Sequence, residues 1–94
     1  MANVHWVPDA LKDLKRLHAF IERHSPSAAV RAVDTLIEAA GSLDRFLDKG
    51  RPWDVEDEIR ELPVRFGSSG YIVRYRISEK QVIILRVRHA LEDR

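Results

Sequence analysis

The stretch that decides the fold is residues 58–89, EIRELPVRFGSSGYIVRYRISEKQVIILRVRH, where the apolar pattern has a period of about two. Runs of Val, Ile, Tyr and Phe with this period form β-strands, and Gly, Ser and charged residues between them form turns. The stretch therefore predicts strands at 58–66, 70–77 and 81–89, joined by the links "GSSG" and "SEK". Consecutive strands on such short connections form an antiparallel meander.

The preceding residues predict one short strand and two amphipathic helices. Val4 to Val7 is an apolar stretch closed by Pro8, and proline disfavours helix in the residue before it, so we expect a strand there. A first helix is expected from Pro8, because apolar residues then recur at helical spacing. These residues are Ala10, Leu14, Leu17 and Ile21. In the second helix Ser25 suits the cap and Pro26 the first helical position. Its apolar stripe comprises Ala29, Val33, Leu36, Ile37 and Ala40, with an extension to Leu43 and Phe46.

Two such helices joined by a tight link are expected to pack as an antiparallel hairpin. Residues 48–54, DKGRPWD, hold Gly50 and Pro52 among charges and predict a loop. The sequence thus predicts an α+β fold in the order β-α-α-β-β-β, with the three-strand meander packed against the helical hairpin. A chain of 94 residues with 45% hydrophobic content is the usual size of one domain, so we expect residues 1–94 to form a single domain.

Composition excludes several classes of protein. Lys and Arg number 16 and Asp and Glu 15, so the formal net charge of +1 gives no general affinity for polyanions. The chain has no cysteine, which removes disulfides and thiolate chemistry. The first residues do not resemble a signal peptide, and no run approaches the roughly 20 apolar residues of a membrane span. We therefore expect a soluble cytoplasmic protein with no membrane partner.

Strand alternation predicts which residues share a face in the last two strands. In the middle strand, Tyr71, Val73, Tyr75 and Ile77 are expected to face the helices, opposite Ile72, Arg74, Arg76 and Ser78. In the last strand, Ile83, Leu85, Val87 and His89 are expected to face the helices, opposite Val82, Ile84, Arg86 and Arg88. This register predicts a cluster of four arginines on the opposite face: Arg74, Arg76, Arg86 and Arg88.

The arginine cluster permits more than one interpretation. The planar guanidinium suits bidentate contact with phosphate oxygens, so the cluster is a candidate site for phosphates. It equally suits an acidic partner protein. Pairing with the chain's own acids, Glu61, Glu79, Glu92 and Asp93, would also account for it.

Two further residues are candidates for chemistry. His89 ends the last strand and could transfer protons, since histidine titrates near neutral pH, although a structural hydrogen bond is the commoner role. Arg60 and Glu61 are adjacent on a strand, so their side chains are expected on opposite faces, not paired with each other. Trp6 and Trp53 are expected in the core. The four histidines lack metal-ligand spacing, and neither a metal nor another cofactor is predicted.

The order of these segments along the chain resembles that of a known superfamily. The segments "WVPDALKDL", "SPSAAVRAVDTL", "RELPV", "GYIVRYRI" and "VIILRVRH", in this order and with Gly50 and Arg51 between helices and strands, are similar to the ParE/RelE toxins of bacterial type II toxin–antitoxin modules. The positions that carry the resemblance are Gly50, Arg51, Arg60, Glu61, Tyr71, Tyr75 and His89. The resemblance implies a growth-inhibiting toxin that a cognate antitoxin neutralises.

Members of this superfamily share a fold but not a mechanism. RelE-like members are ribosome-dependent ribonucleases that cut mRNA, whereas ParE-like members poison DNA gyrase and block replication. The ribonuclease branch typically has arginine directly after the Gly-Tyr of the middle strand, where this chain has Ile72. Some of its members follow the final histidine with tyrosine, where this chain has Ala90.

These departures predict a ParE-like gyrase inhibitor that is not an enzyme. Two alternatives stay open. One is a RelE-like mRNA endoribonuclease with the ribosome as partner and with His89 and Arg60 as its candidate catalytic residues. The other is an inactive relative that retains antitoxin binding.

Overall fold

The computed structural model describes residues 3–91. Its helices are α1 (Pro8–Glu22) and α2 (Pro26–Gly41), followed by a 3-10 turn (Ser42–Asp44). Its strands are β1 (Val4–Trp6), β2 (Arg51–Asp54), β3 (Ile59–Phe66), β4 (Ser69–Ser78) and β5 (Gln81–His89). The predicted α+β architecture is confirmed, with one additional strand, β2.

The five strands form one sheet in the order β1-β5-β4-β3-β2. Strands β3, β4 and β5 form the predicted antiparallel meander, and β1 joins it by parallel pairing with β5. The turn between β3 and β4 contains Gly67 at φ 64, a left-handed conformation that glycine adopts without a steric cost.

The predicted loop at 48–54 is wrong in its second half, because Arg51–Asp54 is the edge strand β2, antiparallel to β3. An edge strand tolerates Pro52, since only one of its sides needs hydrogen-bond donors. The register of this pair is irregular between Pro52 and Asp54.

The helices pack together on one face of the sheet, and their starts are as predicted. Ser25 caps α2, with its Oγ accepting a hydrogen bond from the Ala28 N–H at 3.2 Å. The predicted inward stripe of α2 is wrong at Ile37, which is 48% exposed, and its extension is wrong at Phe46. Leu36 and Ala40 are buried as predicted, and Ala32 joins them. The inward stripe follows Leu36 at i−4 and i+4, whereas Ile37 lies about 100° further round the helix.

The sheet face toward the helices carries most of the core. Its buried residues are Leu62, Val64, Tyr71, Val73, Tyr75, Val82, Ile84 and Val87. We call this the inner face and the opposite one the outer face.

The face assignment predicted for the first half of β5 is wrong. Val82 and Ile84 are fully buried on the inner face, whereas Ile83 and Leu85 are only partly buried. The reason is a β-bulge: Arg74 pairs with Arg86 and Tyr75 with Ile84, which leaves Leu85 without a partner. One extra residue reverses the alternation from that point, so Val87 lies in the core as predicted.

Candidate functional site

The outer face is basic, and its rows follow from the strand register. Residues paired across strands share a face. One row is Arg51, Glu61 and Arg74, and the next is Pro63, Ile72 and Arg88. A third row is Asp54, Ile59, Arg76 and Ile83, so Asp54 is a second acid on this face. Arg65 follows Pro63 on the same face by strand alternation.

Glu61 is the centre of this face. Its Oε2 accepts hydrogen bonds from Arg74 Nε at 3.0 Å and Arg74 Nη2 at 2.8 Å, and Arg88 Nη2 lies 3.5 Å from the same oxygen. Arg88 Nη1 is buried and has no hydrogen-bond partner within residues 3–91. The predicted pairing of the arginines with Glu61 is thus observed for Arg74 and Arg88, while Glu92 and Asp93 lie outside the described residues.

Trp53 also lies at this face. The prediction that it packs in the core is wrong, because it is 52% exposed and Arg74 Cζ lies 3.9 Å from the centre of its ring. Such stacking of a guanidinium on an indole is a cation–π interaction. Trp53 occupies the irregular part of edge strand β2, which takes its ring out of the core. Trp6 packs against the core as predicted.

Arg86 separates from the other three arginines of the predicted cluster. Its Nε donates to Asp13 Oδ2 at 2.9 Å and its Nη2 to Asp13 Oδ1 at 3.2 Å, so it turns toward α1. The same Oδ2 accepts the Val87 N–H at 2.8 Å. β1 pairs with β5 only as far as Ile84, so Arg86 lies where this side of β5 is open. The outer face therefore holds Arg74, Arg76 and Arg88 of the predicted set, together with Arg51 and Arg65.

The sequence interpretation missed Asp13 and Arg65, although both had a detectable pattern. Asp13 lies three residues after Ala10 and four before Leu17, within the apolar stripe of α1, and it is only 4% exposed. Arg65 follows Glu61 by four residues on a strand, which places both on one face. Arg51 was assigned to the loop, where no face can be predicted.

His89 lies on the inner side, away from the outer arginines. Its ring meets Tyr71 edge to face, with centroids 5.4 Å apart and planes at 87°. Its Nδ1 accepts the Leu91 N–H at 3.1 Å. With Tyr71 it lines a groove of roughly 570 Å³ against α1, whose other lining residues are Arg16, Leu17, Phe20, Ile21 and Leu91. Burial raises the pKa of Tyr71, so its hydroxyl stays protonated at neutral pH.

A set of hydrogen bonds holds residues 47–50 against the sheet. We call the residues that make them, Arg60, Gly50 and Tyr75, the clamp. Arg60 Nη1 donates to the carbonyl oxygens of Gly50 at 2.7 Å and Asp48 at 3.2 Å. The Tyr75 hydroxyl donates to the Leu47 carbonyl at 2.7 Å and accepts the Gly50 N–H at 2.9 Å. Burial raises the pKa of Tyr75, while the Gly50 N–H opposes that shift. As predicted, Arg60 and Glu61 point to opposite faces.

Replacing Tyr75 with phenylalanine is expected to lower the free energy of unfolding by about 1–2 kcal/mol, because the Gly50 N–H and Leu47 carbonyl lose a buried partner. Urea unfolding followed by circular dichroism measures the loss. Tyr71→Phe is the matched control, with an expected change within about 0.5 kcal/mol. Equal losses in the two variants would contradict a clamping role for Tyr75.

The described residues contain neither a metal-site cluster nor a membrane-spanning helix. Within residues 3–91 no three His, Cys, Asp or Glu side chains lie close enough to hold a metal ion. In the same range neither helix is long and apolar enough to cross a membrane.

Comparison with known proteins gives consistent matches along the chain. Residues 4–94 match the family model described as the ParE toxin of the type II toxin–antitoxin system parDE. Toxin RelE3 of Caulobacter vibrioides is 39% identical over 94 residues, which is all of both chains. Toxin RelE1 of the same organism is 35% identical over 85 residues, covering 90% of this chain and 89% of the relative.

Solved structures show the same fold. A chain of the chromosomal ParDE system from P. aeruginosa superposes with a TM-score of 0.79 at 24% identity, covering 95% of this chain and 96% of that one. A chain of the RelBE2 toxin–antitoxin complex from Mycobacterium tuberculosis gives a TM-score of 0.63 at 29% identity, covering 97% and 93%.

Proposed function

The chain belongs to the ParE toxin family of type II toxin–antitoxin systems, and from this premise we propose that it blocks replication by inhibiting DNA gyrase until a cognate antitoxin neutralises it. It would act in the cytoplasm, where gyrase and the chromosome are found.

The separation of His89 from the outer arginines is the observation that carries this proposal. Cleavage of RNA through its 2′-hydroxyl needs a base, an acid and cationic stabilisation in one place. His89 packs on Tyr71 at the inner side, whereas Arg74 and Arg88 are bound to Glu61 on the outer face. Burial also raises the pKa of Tyr71, so its hydroxyl keeps its proton and supplies no phenolate to act as the base. This arrangement supports a toxin that acts by binding, not by cleaving RNA.

The helical layer supports a protein partner of the antitoxin type. Large apolar side chains are exposed on α1 and α2 and just after them: Leu11, Phe20, Val30, Ile37 and Phe46. Phe20 also borders the groove beside His89. An amphipathic helix of a partner fits an apolar groove of this kind. The solved structures with this fold include a toxin–antitoxin complex.

A second candidate function is mRNA cleavage. The observation that favours it is the naming of three relatives from Caulobacter vibrioides as RelE toxins. In that case His89 would have to transfer protons from its position on the inner face, at the end of β5.

Two assays separate the candidates. On induced expression without antitoxin, we expect DNA synthesis to stop before protein synthesis in pulse-labelled cells, and the purified toxin to inhibit supercoiling by purified gyrase. His89→Ala is expected to retain this inhibition within about twofold, since the ring lies away from the basic face. An early stop in translation that His89→Ala abolishes would overturn the proposal in favour of the ribonuclease. No effect on either synthesis would identify an inactive relative.

A further inference from the structure

Positive charge is concentrated on the outer face although the whole chain has a net charge of only +1. Five arginines share this face: Arg51, Arg65, Arg74, Arg76 and Arg88. Three of them, Arg51, Arg65 and Arg76, are exposed, and both helices lie on the other side of the sheet. A concentrated field of one sign attracts polyanions even when the total charge is small.

The outer face offers little apolar surface to a protein partner. Ile72 is buried, and Ile59 and Ile83 are partly buried. Pro63 is exposed but small. Trp53 is large, apolar and exposed, and it contacts Arg74. Protein interfaces have an apolar core, whereas interfaces with DNA are polar and strongly positive. The composition of this face therefore fits nucleic acid better than protein.

Glu61 already occupies the position that an anionic ligand would take. Its Oε2 lies between Arg74 and Arg88, as a phosphate oxygen would. Arg88 keeps one buried N–H without an acceptor in the described chain. Guanidinium groups that hold a carboxylate in this way also hold phosphates, because the two anions present similar oxygen geometry.

We propose that the outer face of the sheet binds the phosphate backbone of duplex DNA, and that Glu61 is an internal counter-ion that limits this affinity. The choice of DNA rests on the proposed gyrase function, since duplex DNA is the molecule on which gyrase acts. Binding is independent of sequence, because the contacts go to phosphates.

The first test reverses charge on the exposed arginines. Fluorescence anisotropy with a labelled duplex of about 20 base pairs in roughly 50 mM salt measures affinity directly, without gyrase. Arg65→Glu with Arg76→Glu is expected to weaken binding by about tenfold or more and to make the slope of log K against log salt shallower by about 2. The matched control, Arg23→Glu with Arg31→Glu on the helical layer, makes the same charge change and is expected to weaken binding by less than about threefold. Equal weakening by both pairs would overturn the proposal.

The second test removes the internal counter-ion. Glu61→Gln is expected to raise DNA affinity by about fivefold, because Arg74 and Arg88 then lose a competing carboxylate. Glu56→Gln, an exposed acid in the turn before β3, is the control and should change affinity by less than about twofold. Thermal denaturation checks that each variant is folded. A folded Glu61→Gln variant with unchanged or weaker DNA binding would overturn the role given to Glu61.

Competition identifies the ligand class. Unlabelled duplex DNA should displace the probe better than poly-glutamate of equal charge or single-stranded RNA of equal length. If poly-glutamate displaced the probe more effectively than DNA, the face would be assigned to an acidic protein. If RNA did so, the face would be assigned to RNA binding. Either result would overturn the DNA assignment. A toxin that inhibits gyrase without binding DNA leaves the proposed function intact and removes this inference. A toxin that binds DNA through this face but leaves gyrase active would support this inference and overturn the proposed gyrase function.

Discussion

Replacing Asp13 with alanine is expected to lower the free energy of unfolding by about 2–3 kcal/mol, the upper part of the range for leaving a buried hydrogen-bonding group without its partner. The Asp13 carboxylate is 4% exposed, accepts the Val87 N–H at 2.8 Å and pairs with Arg86 at 2.9 Å. These contacts tie α1 to β5 just beyond the end of β1, where β5 pairs with β4 on one side and has no strand neighbour in the described residues on the other. Removing the carboxylate leaves the buried Val87 N–H without its acceptor. The Arg86 side chain is 58% exposed, so water can hydrate it and its share of the loss is small.

Equilibrium unfolding in urea measures this effect. Asp34→Ala makes the same substitution at an exposed position of α2 and should change stability by no more than about 0.5 kcal/mol. Asp13→Asn, which keeps an acceptor oxygen, should fall between the two. If Asp13→Ala were as stable as Asp34→Ala, the carboxylate would not hold α1 and β5 together.

Replacing Gly50 with alanine is expected to cost about 3 kcal/mol, because the added methyl group has no space. Its Cβ would lie 2.7 Å from Tyr75 Cε1 and 2.9 Å from the Glu61 carbonyl oxygen. The Tyr75 ring is fully buried and the second atom is backbone, so neither yields without moving the core. This need for close approach explains a glycine at position 50.

Gly41→Ala provides the control, since a Cβ at Gly41 would meet nothing within 4 Å and the residue ends a helix. Alanine is favoured over glycine in helices, so this variant should be as stable as the native chain or more stable by up to about 1 kcal/mol. Thermal unfolding of the two variants side by side gives the comparison. A Gly50→Ala protein as stable as Gly41→Ala would show that the clamp formed by Arg60, Gly50 and Tyr75 can expand.

The positions that carry the family resemblance have two kinds of role: some hold the fold together, and others lie on the outer face. Gly50, Arg60 and Tyr75 hold residues 47–50 against the sheet through main-chain contacts. Glu61 instead lies on the outer face with Arg74 and Arg88. Toxicity lost on changing the first group would therefore reflect folding, whereas changes at the exposed arginines test binding itself.

Local residue patterns are sufficient to predict the secondary structure of most of the chain. The helical spacing from Ala10 to Ile21 and the period of two from Ile59 to His89 are local consequences of side-chain direction, so they identify both helices and the meander. The opposite orientations of Arg60 and Glu61 followed from the same alternation. The pairing of Arg74 with Glu61 required only that adjacent strands be in register.

Only the tertiary structure decided where the functional groups meet. The bulge at Leu85 has no local marker in an apolar run, yet it reverses the faces of Val82 and Ile84. The ion pair of Arg86 joins it to Asp13, 73 residues away in sequence. The edge position of β2 likewise depends on its pairing with β3, which exposes Trp53 and adds Arg51 to the basic face. A period describes each strand alone, whereas bulges, edges and long-range ion pairs are set by the packing of strands and helices on one another.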